Sequence, residues 1–130
     1  MPIAPHVLIV DDQIEICDLL AEALTQRGCV VRCALSAAQM RDALADDVYD
    51  LVLLDVVLPD EPGLPIIEDA SAQPVPVILM SGYADAAERH ANGDRPFLGK
   101  PFQIEDLVRT VERVLGTGSA PAPSAAAMPR

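Results

Sequence analysis

The chain has 130 residues, of which 51% are hydrophobic and 3% aromatic, so it is long enough for one domain with an aliphatic core. Its 20 acidic and 9 basic residues leave a formal net charge of −11, which argues against a nucleic-acid partner because phosphate binding needs clustered Lys and Arg. No apolar run approaches the roughly 18 residues that span a bilayer, and the N-terminus lacks the basic segment of a signal peptide, so we expect a cytoplasmic protein without a membrane partner.

Five short apolar runs predict the strands of a sheet. Uninterrupted runs at 7–10 and 51–54 each lead into aspartate, and such runs are typical of strands that are buried on both faces. The run at 30–34 is β-branched but contains an arginine, which predicts a position towards an edge of the sheet. Two further strands are predicted at 75–80 and 96–98.

Helical periodicity separates these strands. The first helix is predicted to end at Gly28 and to pack through Ile16, Leu19, Leu20, Ala23 and Leu24. Ser36 is the predicted N-cap of a second helix, which runs through Leu44 and faces inward with Ala37, Met40, Ala43 and Leu44. A short third helix is predicted from 64 or 66 to about 70, a fourth of two turns at most at 84–91, and the last helix at 104–115. Because strand and helix alternate five times, the predicted fold is a doubly wound, five-stranded parallel α/β sheet with helices on both faces.

Three features are interpreted as structural rather than functional. The segment 116–130 is rich in Ala and Pro and is predicted to be a disordered tail, which leaves 1–115 as the single domain. The three cysteines lack metal-type spacing and are predicted to be small buried thiols; they are Cys17, Cys29 and Cys33. Both histidines, His6 and His90, are predicted to be surface or strand-flanking residues.

Polar side chains follow four of the predicted strands: Asp11 with Asp12, then Asp55, Ser81 and Lys100. The carboxyl ends of parallel strands meet at one edge of a sheet, so these residues are expected to converge. Clustered carboxylates suit Mg²⁺. Lys100, the only lysine in the chain, and the Ser81 hydroxyl would hold a phosphoryl group while one carboxylate attacks it.

Simpler interpretations of these residues stay open at this point. Acidic residues such as Asp11 and Asp12 favour a helix N-terminus. Asp55 would suit a turn at the end of a strand, and a Ser-Gly pair such as Ser81-Gly82 is common turn chemistry. Lys100 would also suit a solvated surface.

Four motifs, in this order, resemble the receiver domain of two-component response regulators, the family typified by the chemotaxis regulator. They are VLIVDD, LVLLDVVLPDEPG, SGYA and GKPF. The match covers residues 5–115 and implies a flavodoxin-like fold of three α/β/α layers. It also implies a regulatory phosphoacceptor that is not an enzyme in the usual sense, since it catalyses only its own phosphorylation and dephosphorylation.

The resemblance implies a role for each residue of the site. Asp55 would be the phosphoacceptor, and Lys100 would pair with the phosphoryl group. Mg²⁺ would be held by Asp11, Asp12 and Asp55 together with the backbone carbonyl of Val57. Because the apolar Val57 side chain cannot orient an attacking water molecule, we expect slow self-catalysed dephosphorylation.

The resemblance further implies a switch and a cis peptide bond. Ser81 would bind the phosphoryl group as Phe97 turns inward, and the Lys100–Pro101 bond would be cis, as X-Pro bonds can be at modest cost. Phe97 lacks the hydroxyl of tyrosine, so the switch would work by packing. The intervals on either side of Ser81 are shorter than in many relatives, which predicts shortened third and fourth helices.

The predicted function is a stand-alone receiver that accepts a phosphoryl group from a sensor histidine kinase or a histidine phosphotransfer protein. It would act as a monomer or weak dimer on an unidentified downstream protein. Three alternatives remain: a receiver cut from a larger regulator or hybrid kinase, a phosphorylation-independent interaction module, and a small Mg²⁺-dependent phosphatase.

Overall fold

The strands build a parallel sheet with Asp55 at the end of a central strand. The computed structural model describes residues 4–55, 58, 75–81 and 97–116, and the side chains of Ser81 and Phe97 lie outside this description. Its strands are β1 (His6–Val10), β2 (Val30–Ala34), β3 (Leu51–Asp55), β4 (Val77–Ser81) and β5 (Phe97–Gly99). Within the described residues they pair in parallel in the order β2-β1-β3-β4-β5, which confirms that β2 lies at an edge.

Helices cover both faces of this sheet, as predicted. They are α1 (Ile14–Thr25), α2 (Ala37–Asp46) and the C-terminal helix (Ile104–Leu115). Alternate residues of β1 point to opposite faces: Leu8 lies in one core cluster with Met40 of α2, whereas Ile9 lies in the other with Leu20 of α1 and Leu107 of the C-terminal helix. The predicted three-layer α/β/α fold is therefore confirmed. Among the described residues, none of the helices has the length and apolar character to cross a membrane.

Two helix ends form as their residues predict. The Ser36 side chain accepts a hydrogen bond from the backbone N–H of Gln39 at 3.1 Å, so it is the N-cap of α2. At the end of α1, Gly28 has a φ of +90°, a left-handed conformation that glycine adopts without steric cost. The N–H of Cys29 reaches the carbonyl of Leu24, and the N–H of Gly28 reaches that of Thr25, which is the Schellman pattern.

Some details differ from the sequence-based expectation. Leu19 was expected to pack inward, yet it is 48% exposed, whereas Cys17 of the same helix is buried, as predicted. The reason is geometric, since successive residues of a helix are 100° apart and Leu19 lies beside the stripe of Cys17, Leu20 and Leu24. Cys29 is buried as predicted, but Cys33 is only half-buried.

The last two strands are also displaced slightly from their predicted positions. β4 begins at Val77 rather than at 75, and β5 covers Phe97–Gly99 rather than 96–98. The predicted shortening of the third and fourth helices, the position of His90 and the disordered tail lie outside the described residues. His6 begins β1 and is exposed, as expected.

Candidate functional site

The register of the sheet brings three carboxylates together. Val10 of β1 is the partner of Leu54 of β3, so the next residues, Asp11 and Asp55, lie side by side on strands about 4.8 Å apart. Asp12 follows directly. One carboxylate oxygen from each of Asp11, Asp12 and Asp55 lies within 4.8 Å of the other two. The strand register therefore brings the three acids together, as predicted.

Asp11 is fully buried and is held by partners on several elements. Its Oδ1 accepts the backbone N–H of Gln13 at 2.9 Å, and its Oδ2 accepts the Lys100 ammonium at 2.6 Å. Its own N–H donates to the carbonyl of Ala34 at 3.0 Å, and its carbonyl accepts the Cys17 thiol at 3.3 Å. Burial of an ionised carboxylate is costly unless it is paired and hydrogen-bonded, and Asp11 meets both conditions.

Lys100 joins two of the acids. Its Nζ lies 3.0 Å from Oδ2 of Asp55 as well as 2.6 Å from Asp11, and 17% of its side chain is exposed. It follows β5, which is separated from β3 by β4, so only a long side chain reaches both carboxylates. Burial by itself lowers the pKa of Lys100, but the hydrogen bonds to Asp11 and Asp55 outweigh it, and the pKa is raised above its usual value. The lysine is therefore a fixed cation.

The charges of this cluster suit a divalent cation. Three carboxylates face one ammonium group, so two negative charges remain uncompensated within the cluster. The ligand atoms are hard carboxylate oxygens, which Mg²⁺ prefers. Asp11 and Asp55 are buried whereas Asp12 is exposed, so the group is open to solvent on the Asp12 side. Asp11, Asp12 and Asp55 thus fit the ion that the family resemblance implies.

Other predicted site residues are described only in part. The backbone of Ser81 ends β4 opposite Gly99, and Phe97 begins β5, but their side chains lie outside the described part of the chain, as does all of Val57. The Lys100–Pro101 peptide bond is cis, as the resemblance implied.

Two supports of Asp11 were missed by sequence reasoning. Gln13 acts through its backbone N–H, which no side-chain pattern reports. Cys17 was interpreted only as core, although its position in the first turn and a half of α1 was a usable signal. Since α1 starts only four residues after the end of β1, its first inward side chains are directed back towards the end of that strand.

A family model described as the response regulator receiver domain matches residues 7–112. Protein PetR of Rhodobacter capsulatus is 32% identical over 115 residues, which cover 85% of this chain and 48% of PetR. The DNA-binding transcriptional regulator NtrC of Azospirillum brasilense is 35% identical over 127 residues, covering 92% of this chain and 26% of NtrC. The chain thus spans about half the length of PetR and about a quarter of NtrC.

Solved structures agree with the observed fold. A CheY-like receiver domain protein from Methanospirillum hungatei has a TM-score of 0.78 at 28% identity, covering 88% of this chain and 95% of that one. NtrX from Brucella abortus has a TM-score of 0.80 at 33% identity, covering 88% of this chain and 27% of NtrX. The likeness therefore extends across most of the present chain.

Proposed function

This chain belongs to the response regulator receiver domain family, and we propose that it is a Mg²⁺-dependent phosphoacceptor of two-component signalling in which Asp55 carries the phosphoryl group. The observation that supports this most directly is the Lys100 ammonium held between the Asp11 and Asp55 carboxylates, 2.6 and 3.0 Å away. A fixed cation beside a buried carboxylate is the arrangement that charge neutralisation in phosphoryl transfer requires.

The proposed donor is a phosphohistidine on a sensor kinase or a phosphotransfer protein. A carboxylate oxygen of Asp55 attacks phosphorus, the phosphorus–nitrogen bond breaks, and its electron pair stays on the histidine ring. Because Asp55 is only 5% exposed and ends a central strand, little orientational freedom has to be lost in the attack. Lys100 then pairs with the new phosphoryl oxygens in place of the carboxylate oxygen.

Asp11, Asp12 and Asp55 are the proposed Mg²⁺ ligands, with the backbone carbonyl of Val57 as a further ligand implied by the resemblance. When bound, the ion supplies positive charge to the phosphoryl oxygens. The task of the chain is then to hold the acids in place, which for Asp11 is done by the hydrogen bonds from Gln13 and Lys100.

The proposed response to phosphorylation involves Ser81 and Phe97. Ser81 would donate a hydrogen bond to the phosphoryl group, and Phe97 would turn inward, which shifts a two-state equilibrium and changes the contacts offered to another protein. Slow loss of the phosphoryl group, expected from the apolar Val57, also stays a prediction.

A groove beside the site is the proposed docking place for the phosphohistidine-bearing protein. It has a volume of about 310 Å³ and lies between α1 and the segment that follows β5, where Leu19 and Phe102 help to line it. Leu19 is 48% exposed, and its apolar surface would be covered by a docked helix. Because Lys100 also lines the groove, a partner seated there reaches the edge of the acidic cluster.

The output of the receiver is proposed to be a protein contact. PetR and NtrC are longer than this chain, and NtrC is described as a DNA-binding transcriptional regulator. The contact is therefore proposed to be made either with an effector region of the same regulator or with a separate protein.

Intact-mass measurement after incubation with Mg²⁺ and acetyl phosphate tests this function. We expect the mass of one phosphoryl group to be added, and hydroxylamine to remove it, because an acyl phosphate is cleaved by that nucleophile. Asp55→Asn should abolish the addition. Asp42→Asn, which changes an exposed carboxylate on α2, should leave it intact.

Each other outcome has a definite meaning. No addition to a folded wild-type chain would favour the phosphorylation-independent interaction module. Repeated hydrolysis of varied phosphate esters would favour the small phosphatase. Addition that persists in Asp55→Asn but disappears on changing another acid would show that the nucleophile was assigned wrongly.

A further inference from the structure

Two cysteines meet between α1 and β2, close to the acidic site. Cys17 is 1% exposed on α1, and Cys33 is half-buried on β2. The Cys33 Sγ lies 3.8 Å from the Cys17 carbonyl oxygen, and the Cys33 side chain packs against the core cluster that contains Cys17. Nothing in the proposed phosphoryl transfer uses this pair.

The third cysteine is not a partner for Cys33. Cys29 directly precedes β2 and Cys33 lies within that strand, four residues further along the chain, so their Cα atoms are separated by about 13 Å at about 3.3 Å per extended residue. A disulfide requires Cα atoms within about 7 Å. Burial raises the pKa of Cys29, and the Glu112 carboxylate adds to that effect. Cys29 is therefore a built-in control.

We propose that Cys17 and Cys33 are a site of oxidative modification, at which a peroxide converts the two thiols into an intrachain disulfide joining α1 to β2. Such a bond in a reducing compartment is typically transient and redox-sensing rather than structural. The site is distinct from the acidic cluster and does not depend on phosphorylation of Asp55.

The reaction proceeds in two balanced steps. The Cys33 sulfur attacks one peroxide oxygen; a sulfur–oxygen bond forms, the oxygen–oxygen bond breaks, and one water leaves. The Cys17 sulfur then attacks the Cys33 sulfur; the disulfide forms, the sulfur–oxygen bond breaks, and the hydroxyl leaves with the Cys17 proton as a second water. Two thiols thus lose two electrons and two protons to one peroxide.

The order of the steps follows from the surroundings of each thiol. Cys33 is the more exposed sulfur, so it meets a small oxidant first. Cys17, on the buried face of α1, is placed to attack the oxidised Cys33 sulfur.

The disulfide would act on the backbone of Asp11. The Cys17 thiol donates to the Asp11 carbonyl at 3.3 Å, and the Asp11 N–H donates to the carbonyl of Ala34, the neighbour of Cys33. Asp11 is therefore held between the two segments that the disulfide would join. Oxidation removes the Cys17 S–H donor, so the bond to the Asp11 carbonyl is lost.

Peptide mapping of the full chain after treatment with hydrogen peroxide tests the proposal. Trypsin cuts after Arg27, Arg32 and Arg41, so Cys17, Cys29 and Cys33 fall in three separate peptides, 1–27, 28–32 and 33–41. With free thiols alkylated before digestion, we expect the first and third peptides to be linked, in a monomer that has lost two hydrogens. Dithiothreitol should reverse the link.

Serine variants of the three cysteines show which thiols form the link. Cys29→Ser should keep the linked pair, whereas Cys17→Ser and Cys33→Ser should lose it. Three unlinked thiols after peroxide treatment, a link to the 28–32 peptide, or a link only between two chains would each overturn the proposal. The wild-type map alone distinguishes these outcomes, so the test survives if a serine variant fails to fold.

Discussion

Among single residues, Lys100 controls the charge of the site. Its ammonium contacts both buried carboxylates, Asp11 and Asp55. Neither acid can be moved into water without disturbing the end of a strand, because each directly follows the apolar core of β1 or β3. The stability of the fold and the chemistry of the site are therefore coupled through one side chain.

Replacing Lys100 by Met should destabilise the protein in the absence of divalent cations. Removing one partner of a buried ion pair leaves an uncompensated charge and costs on the order of 3 kcal/mol. We expect the free energy of unfolding in urea to fall by about this amount. The double variant Lys100→Met with Asp55→Asn should recover part of the loss, because one of the repelling carboxylates is then neutral.

An exposed cation provides the control for that substitution. Arg109 is 73% exposed and pairs with Asp106 at 3.5 Å, so Arg109→Met should change stability by about 0.5 kcal/mol at most. If both variants lose the same free energy, the role given to Lys100 is wrong.

The contribution of Lys100 should also depend on pH. Its pKa is raised in the folded state, so its stabilisation is complete below the usual value of 10.5 and disappears as pH rises through the higher folded-state pKa. The difference in unfolding free energy between wild type and Lys100→Met should therefore shrink above pH 10.5.

Among the helices and strands, α2 has a start that is fixed by side chains at its N-terminus. The Ser36 hydroxyl accepts the N–H of Gln39, and the Gln39 side chain in turn accepts the N–H of Leu35 at 2.8 Å. Two backbone donors at the helix start are thus satisfied by side chains close in sequence. By contrast, Gln13 and Gln103, the N-cap residues of α1 and the C-terminal helix, make no side-chain cap hydrogen bond, so these two helices depend more on packing.

Ser36→Ala should lower the free energy of unfolding by about 1 kcal/mol, because one N–H donor loses its acceptor. Ser36→Asp keeps an acceptor at the same position and should retain most of the stability. Urea titration followed by circular dichroism measures both. Equal midpoints for the Ala and Asp variants would show that the cap contributes nothing measurable.

At the scale of the whole molecule, the chain is strongly negative, and the acidic cluster also has more negative than positive groups. The chain has a formal net charge of −11, and the acidic cluster places three carboxylates against one lysine. Any cation therefore relieves some repulsion, but a divalent ion bound at the cluster should have an effect beyond screening.

Mg²⁺ should raise the melting temperature of the protein. A ligand at 100 times its dissociation constant stabilises the folded state by about 2.7 kcal/mol, provided that it binds only that state. NaCl at matched ionic strength should give a much smaller rise. Asp12→Asn changes the exposed acid of the cluster and should remove most of the Mg²⁺-specific part. An equal response to both salts would exclude a specific site.

Much of this fold was predictable because its signals are local in the chain. The C-terminal helix, Ile104–Leu115, begins and ends where its 3.6-residue periodicity predicted. Ser36 and Gly28 mark helix ends through short-range hydrogen bonds that few other residues make. Asp11 and Asp55 were assigned to one edge of the sheet because each follows a fully apolar run, and parallel strands share the direction of their ends.

Contacts between distant segments were decided only by the tertiary structure. The number of residues between Asp11 and Lys100 in the sequence does not predict how close their side chains lie in space. Their 2.6 Å contact depends on the strand order and on a lysine side chain long enough to reach across β4. Leu19 was expected to face inward but is exposed, because periodicity defines the direction of a helix face but not which elements cover it. The meeting of Cys17 with Cys33 likewise required α1 to pack on β2. Amino-acid sequence thus determined the elements and the chemical types at their ends, while packing determined which of those groups touch.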